Sequence, residues 1–185
     1  MDLDAFADLA RSRRTNMVVD QARPVPTELI ERLCELATWA PNHKKTWPWR
    51  FAVVTGDSRY RLGEAFVDDM IAADFGDEGK RTKTLTKYAR TPAVLVVGCA
   101  PDERPTIHDE NRDAVAAGIE NFLLGATAAG LASFWSTPPL IDGPSALALC
   151  GFAPDDRIIA VIYLGWPATA PAAPERPSPP ITHLS

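Results

Sequence analysis

Two short stretches of the chain carry residue types that could do chemistry. Arg13-Arg14-Thr15 sets adjacent guanidinium groups beside a hydroxyl. Guanidinium forks pair with phosphate oxygens through parallel hydrogen bonds, and the threonine adds a donor, so the stretch could cradle a phosphate. It has a plain reading too, because the helix dipole favours cations at a helix end. The second stretch, residues 40–51, reads APNHKKTWPWRF. It spends two tryptophans, Trp47 and Trp49, on a segment between an expected helix and an expected strand. Pro48 biases Trp47 toward an extended conformation. Asn42, His43 and Lys44 offer donors nearby. An aromatic wall beside fixed donors suits a flat, hydrogen-bonding heterocycle. The alternative is that both rings pack the core under a proline-stiffened loop.

Other patterns fail as chemistry. GATAAGLAS (125–133) imitates a phosphate-binding loop, but Leu131 stands where the lysine is required. No GxGxxG follows a strand, and no GxSxG is present. His43, His108 and His183 lie apart without metal-ligand spacing, so no metal site is expected. In HDEN (108–111), Asp109 is expected to cap a long helix and Glu110 to favour its first turn. The run Lys80, Arg81, Lys83, Lys87, Arg90 reads as a solvated helix face; it could instead edge a site and attract an anionic substrate.

Composition narrows the class. The chain has 185 residues, 46% hydrophobic and 23% charged, with a net charge of −5. One compact domain is expected, spanning 1–185. The acidic balance argues against sequence-independent nucleic-acid binding, which needs a basic surface. Cys34, Cys99 and Cys150 show no CxxC spacing, which fits a reducing compartment. The first residues carry acids where a secretory signal needs basic groups, and no apolar run reaches the length of a bilayer span. A cytoplasmic protein without membrane or nucleic-acid partners is expected.

The elements that must position these residues follow from periodicity. Helices are expected over 2–12, 27–40, 58–74 and 109–130, with a basic helix through residues 80–90. RFAVVTG, PAVLVVGCA, LASFWS and RIIAVIYLGW read as strands; the all-apolar PAVLVVGCA suits a strand buried on both faces. The small residues of the 109–130 helix would let another helix approach closely. Residues 166–185 hold six of the 17 prolines and cannot form helix or central strand. Together these give a mixed sheet in an α+β domain.

The order of the pieces resembles the nitroreductase family of FMN-dependent flavoproteins, in its short variety. Arg13-Arg14-Thr15 matches the family's early R-R-S/T. Ala40-Pro41 through Pro48-Trp49-Arg50-Phe51 matches its A-P…P-W-R-F. ENFLLGATAAGL, LASFWSTP and Tyr163-Leu164-Gly165-Trp166-Pro167 match three later motifs, so the resemblance spans nearly the whole chain. It implies a mainly antiparallel central sheet flanked by helices and a homodimer with two FMN sites at its interface. Arg13, Arg14 and Thr15 would hold the phosphate and ribityl end. His43 and Trp47 would lie by the flavin ring. Trp135, Ser136 and Thr137 would offer backbone N–H groups near the ring edge. Arg176, in a proline-rich arm lying over the partner, would reach the phosphate. The implied reaction moves hydride from NAD(P)H through the flavin to a nitroaromatic, quinone or enone, with no catalytic side chain. Relatives of the fold also include oxidases and dehalogenating enzymes, and a non-catalytic flavin-binding dimer is a further alternative. Two positions depart from the pattern. Met17 stands where many members carry Lys or Arg near the flavin, and Trp47 stands where Gln is common.

Overall fold

The computed structural model describes residues 2–184. The chain forms α1 (Leu3–Ser12), β1 (Val19–Asp20), α2 (Thr27–Ala37), β2 (Trp49–Thr55), α3 (Ser58–Ala72) and α4 (Glu78–Lys87). It continues through β3 (Ala93–Cys99), α5 (Pro105–Ala128), β4 (Ala132–Ser136), α6 (Pro144–Cys150) and β5 (Arg157–Pro167). The sheet runs β1-β5-β3-β2, and β4 also pairs with β5. Among the described residues every strand pair is antiparallel, and the single parallel contact is an isolated bridge between Thr15 and Ser133. The α+β expectation holds, with the sheet more uniformly antiparallel than a mixed one.

All seven residues of β3 are buried. Their alternation feeds two cores, because successive strand side chains point to opposite faces. Leu95 and Val97 face α2 and α5 with Ile30, Ile119 and Phe122. Val94 and Val96 face α3 and α6 with Phe66, Tyr88 and Leu147. The close helix approach occurs at Gly118 of α5. A Cβ there would stand 2.6 Å from the carbonyl oxygen of Ala37 and 2.7 Å from Nε1 of Trp49.

Four expectations need correction. The long helix starts at Pro105, not Asp109, with Arg104 at its cap position. Proline fits a first helical turn because its missing N–H would be unpaired there anyway. Asp109 therefore lies inside the helix and caps nothing. Helix α6 was not foreseen. The helix expected over 58–74 ends at Ala72, with Ile71 of its last turn exposed. Trp166 and Pro167 finish β5 against β1, and the exposed arm starts at Ala168, whose N–H donates to the Val18 carbonyl.

Burial governs the three thiols. It is the first cause pushing Cys34 and Cys150 up to about 12 and Cys99 up to about 11, from an ordinary value of 9.0. A folded pKa above the unfolded one gives stability that is complete below about pH 9 and lost as pH rises toward 11 and 12. Urea midpoints are therefore expected to hold to about pH 9 and fall above it. A Cys34→Ala/Cys150→Ala variant should show a shallower fall; an identical fall would assign the effect to other groups.

Candidate functional site

The loop after α2 is held in a costly shape. Lys44, Lys45 and Trp47 have φ of 61°, 53° and 51°, in the left-handed region that costs a non-glycine residue about 1–2 kcal/mol. The extended conformation expected of Trp47 is thus not adopted, and β2 begins only at Trp49. The two tryptophans separate. Trp49 is buried, with Nε1 donating to the Ala114 carbonyl at 3.3 Å. Trp47 is 61% exposed.

A hydrogen-bond relay offsets the strain. Asn42 Oδ1 accepts the Trp47 N–H at 3.0 Å, and Asn42 Nδ2 donates to Thr46 Oγ1 at 2.9 Å. Thr46 Oγ1 donates to Asn111 Oδ1 at 2.5 Å, and Asn111 Nδ2 donates to the Ala100 carbonyl at 3.2 Å. Beside it, His43 Nδ1 lies 2.5 Å from Glu110 Oε2. Asn111 is only 1% exposed. Asn111→Leu is expected to strand two polar partners and to cost about 2–3 kcal/mol. It should also free Trp47. Urea unfolding with tryptophan fluorescence anisotropy checks both effects; unchanged anisotropy would mean that the relay does not hold the loop.

The arginine segment is fastened at the other end of α5. Thr15 bridges Ser133 of β4, and the Asn16 N–H donates to the Ser133 carbonyl at 3.0 Å. Asn16 is buried; its Nδ2 donates to the Thr169 carbonyl at 3.0 Å and its Oδ1 accepts the Val18 N–H at 2.8 Å. Sequence reasoning missed this organising residue, because an asparagine after a hydroxyl carries no signature. Arg13 Nε lies 3.4 Å from Glu120 Oε1 on α5. Arg14 Nη1 donates to the carbonyls of Arg13 and Arg11. Arg14 and Asn16 face an open cavity of about 470 Å³, lined also by Thr127 and Gly130 and by the root of the arm.

A second cavity, of about 650 Å³, lies between α5 and the end of β4. Trp135 and Thr137 line it opposite His108, Arg112 and Arg157. His108 Nδ1 accepts the Asp102 N–H at 3.4 Å. Hydrogen bonds from the Arg104 side chain hold the Asp102 carboxyl down to about 2. Ser136 Oγ donates to the Thr137 carbonyl at 3.3 Å.

The expected residues thus gather in groups along α5. Arg13, Arg14 and Thr15 sit together, and Trp135, Ser136 and Thr137 follow along the strand that Thr15 bridges. His43 and Trp47 sit on the loop beside the N-terminal half of α5. Between the Glu120 and Glu110 contacts, α5 advances about 15 Å. Arg176 joins neither group; it lies in the exposed arm without a hydrogen bond or ion pair among the described residues. Met17 is half-buried and packs against the edge of the α3/α6 core, as Phe134 does. No group of three or more potential metal ligands occurs among the described residues. No described helix is long and apolar enough to cross a membrane.

The nitroreductase family model matches residues 10–166. YfhC of Bacillus subtilis (strain 168), named as a candidate NAD(P)H nitroreductase, is 30% identical over 176 residues, which are 91% of this chain and 88% of that protein. Iodotyrosine deiodinase 1 of Rattus norvegicus is 25% identical over 186 residues, 92% of this chain and 65% of that protein. A nitroreductase-like family protein from Bacillus cereus superposes with a TM-score of 0.81 at 27% identity, covering 96% of this chain and 94% of that one. A nitroreductase with bound FMN from Bacteroides fragilis gives 0.75 at 21% identity, covering 97% and 98%, a likeness of fold.

Proposed function

This chain belongs to the nitroreductase family, and from that premise we propose that it is an FMN-dependent oxidoreductase working as a homodimer. Bound FMN would supply hydride chemistry, taking hydride from NAD(P)H and passing it to a small acceptor such as a nitroaromatic, quinone or enone. The chain's own residues bind, orient and shield. Arg13 and Arg14 would turn their forks to the phosphate, with Thr15 as a further donor. His43 and Trp47 would form one wall of the ring site. Trp135, Ser136 and Thr137 would bring backbone N–H groups to the ring edge, and Arg176 would add a cation from the arm. No side chain is assigned a proton-transfer role.

The donor set fits the group: paired guanidinium groups at one end of α5 and aromatic rings toward the other. The observation that carries the reading is the fastening of the arginine segment to β4. Thr15 bridges Ser133, so one strand links the phosphate donors to Trp135–Thr137. The homodimer is supported by what one copy leaves open. Arg14 and Trp135 border two separate concavities. Helix α1 is amphipathic yet buries none of its residues. The arm from Ala168 onward is exposed to its described end. A second copy could close these concavities and cover α1.

The test is the visible spectrum of purified protein, before and after NADPH or NADH without oxygen. A flavin spectrum that bleaches is expected. A protein that is colourless and retains no added FMN would end this reading. A second reading, reductive dehalogenation of an aromatic, draws on the 25% identity to iodotyrosine deiodinase 1. Halide release from an iodophenol under the same conditions would favour it.

A further inference from the structure

A third cavity, of about 350 Å³, opens between the end of α2 and the strained loop, with Trp39 and Trp47 lining it. Trp39 is 76% exposed. Leaving two indoles open to water forgoes much apolar burial, and such residues on a rigid frame mark binding surfaces. Both rings are fixed beforehand. Trp39 donates its indole N–H to Glu35 Oε1 at 2.5 Å. Trp47 leans on Trp49, with ring centroids 6.2 Å apart and planes tilted by 51°, and its backbone is held by Asn42. Rings ordered in advance lose little freedom on binding.

The size of the cleft selects its guest. It lies at the small end of ligand sites and admits a one- or two-ring molecule, not a peptide. The charges select further. Glu35 spends an oxygen on Trp39. Asn42 is spent on Thr46 and Trp47, and Thr38 Oγ1 donates to the Glu35 carbonyl. Lys45 also lines the cleft and forms no ion pair among the described residues. Lys45 is the lining charge left without a partner, while the lining carboxylate, Glu35, is engaged by the Trp39 indole, and this favours an anion.

We propose that the Trp39–Trp47 cleft binds a planar aromatic ring carrying an acidic group, stacked on the indoles with its anion toward Lys45. Identifying that molecule as the electron acceptor rests on the oxidoreductase reading; the binding chemistry does not. The adenine end of NADP⁺ shares that chemistry, so both sources enter the test.

The test is calorimetric titration of the purified full-length protein with 4-nitrobenzoate, nitrobenzene and NADP⁺. Trp39→Ala is expected to weaken 4-nitrobenzoate by about tenfold or more, with the flavin absorbance per chain unchanged. Lys45→Gln should weaken 4-nitrobenzoate several-fold and leave nitrobenzene alone. Should NADP⁺ lose the affinity in Trp39→Ala instead, the ring belongs to the co-substrate and the cleft chemistry stands. Unchanged affinity for both anions in Trp39→Ala would overturn the proposal, as would a wild-type protein that binds neither. A shift from dimer to monomer on sedimentation of Trp39→Ala would overturn it too, making Trp39 an interface anchor. So would loss of flavin from that variant alone. A wild-type protein without flavin that still binds 4-nitrobenzoate through Trp39 would sink the oxidoreductase reading and leave the cleft intact.

Discussion

Changing Arg13 and Arg14 together to alanine is expected to leave a folded protein that no longer retains FMN. A hydrogen bond between charged partners contributes about 1.5–3 kcal/mol. Losing two guanidinium partners of one phosphate therefore removes about 3–6 kcal/mol, a weakening on the order of 10² to 10⁴ in Kd. The fold should tolerate the change. Arg13 meets Glu120 at 3.4 Å near the surface, a kind of pair that contributes about 0–1 kcal/mol. Among the described residues, the Arg14 side chain bonds only to carbonyls of its own turn. An Arg13→Lys/Arg14→Lys variant keeps the charges but loses the bidentate forks, so it should fall between the two. Quenching of FMN fluorescence measures all three affinities, and thermal melts show whether each variant is folded. A double-alanine variant with wild-type affinity would move the phosphate elsewhere and take the assignment of Thr15 with it.

How much of this was legible depended on the range of the interactions. The apolar run of β3 announced its two-faced burial because alternation within one strand is a local signal. The start of α5 was harder to read. Its buried stripe includes Asn111, a polar residue that interrupts the apolar period, and Pro105 reads as easily as a breaker. The seven residues of α6 are too few to display a helical period. At the candidate site, residue types were readable and their assembly was not. His43 meets Glu110 and Thr46 meets Asn111 across more than sixty residues of chain. Trp47 adopts φ of 51° before a proline because those distant partners hold its loop, overriding a local preference.

Asp69→Ala is expected to be the most damaging single change away from the candidate site. Asp69 sits on α3 at 2% exposure. Its Oδ1 accepts the Ser145 N–H at 2.8 Å and its Oδ2 accepts the Ala146 N–H at 3.0 Å. Helix α6 has no side-chain cap of its own, so a carboxylate from another helix satisfies its first N–H groups and opposes its dipole. Alanine would strand two donors at about 1–3 kcal/mol each. A loss of about 3 kcal/mol lowers Tm by roughly 6–12 °C in a chain of this size. Asp69→Asn keeps one acceptor and should lose about half as much. Gly143 supplies the control. A Cβ there would stand 2.1 Å from Asp69 Oδ2, so Gly143→Ala should damage the wild-type protein by pushing the carboxylate off the helix end. Once Asp69 is alanine, the collision with the carboxylate is gone and only the 2.8 Å approach to the residue-69 Cβ remains. The double variant should therefore be less destabilised than the sum of the two single changes, a coupling of more than about 0.5 kcal/mol. Additive losses in urea titrations would mean that Asp69 acts through α3 packing and not as the cap of α6. Flavin content of the folded fraction should not change in any of these variants, because α6 packs on the sheet face opposite α5.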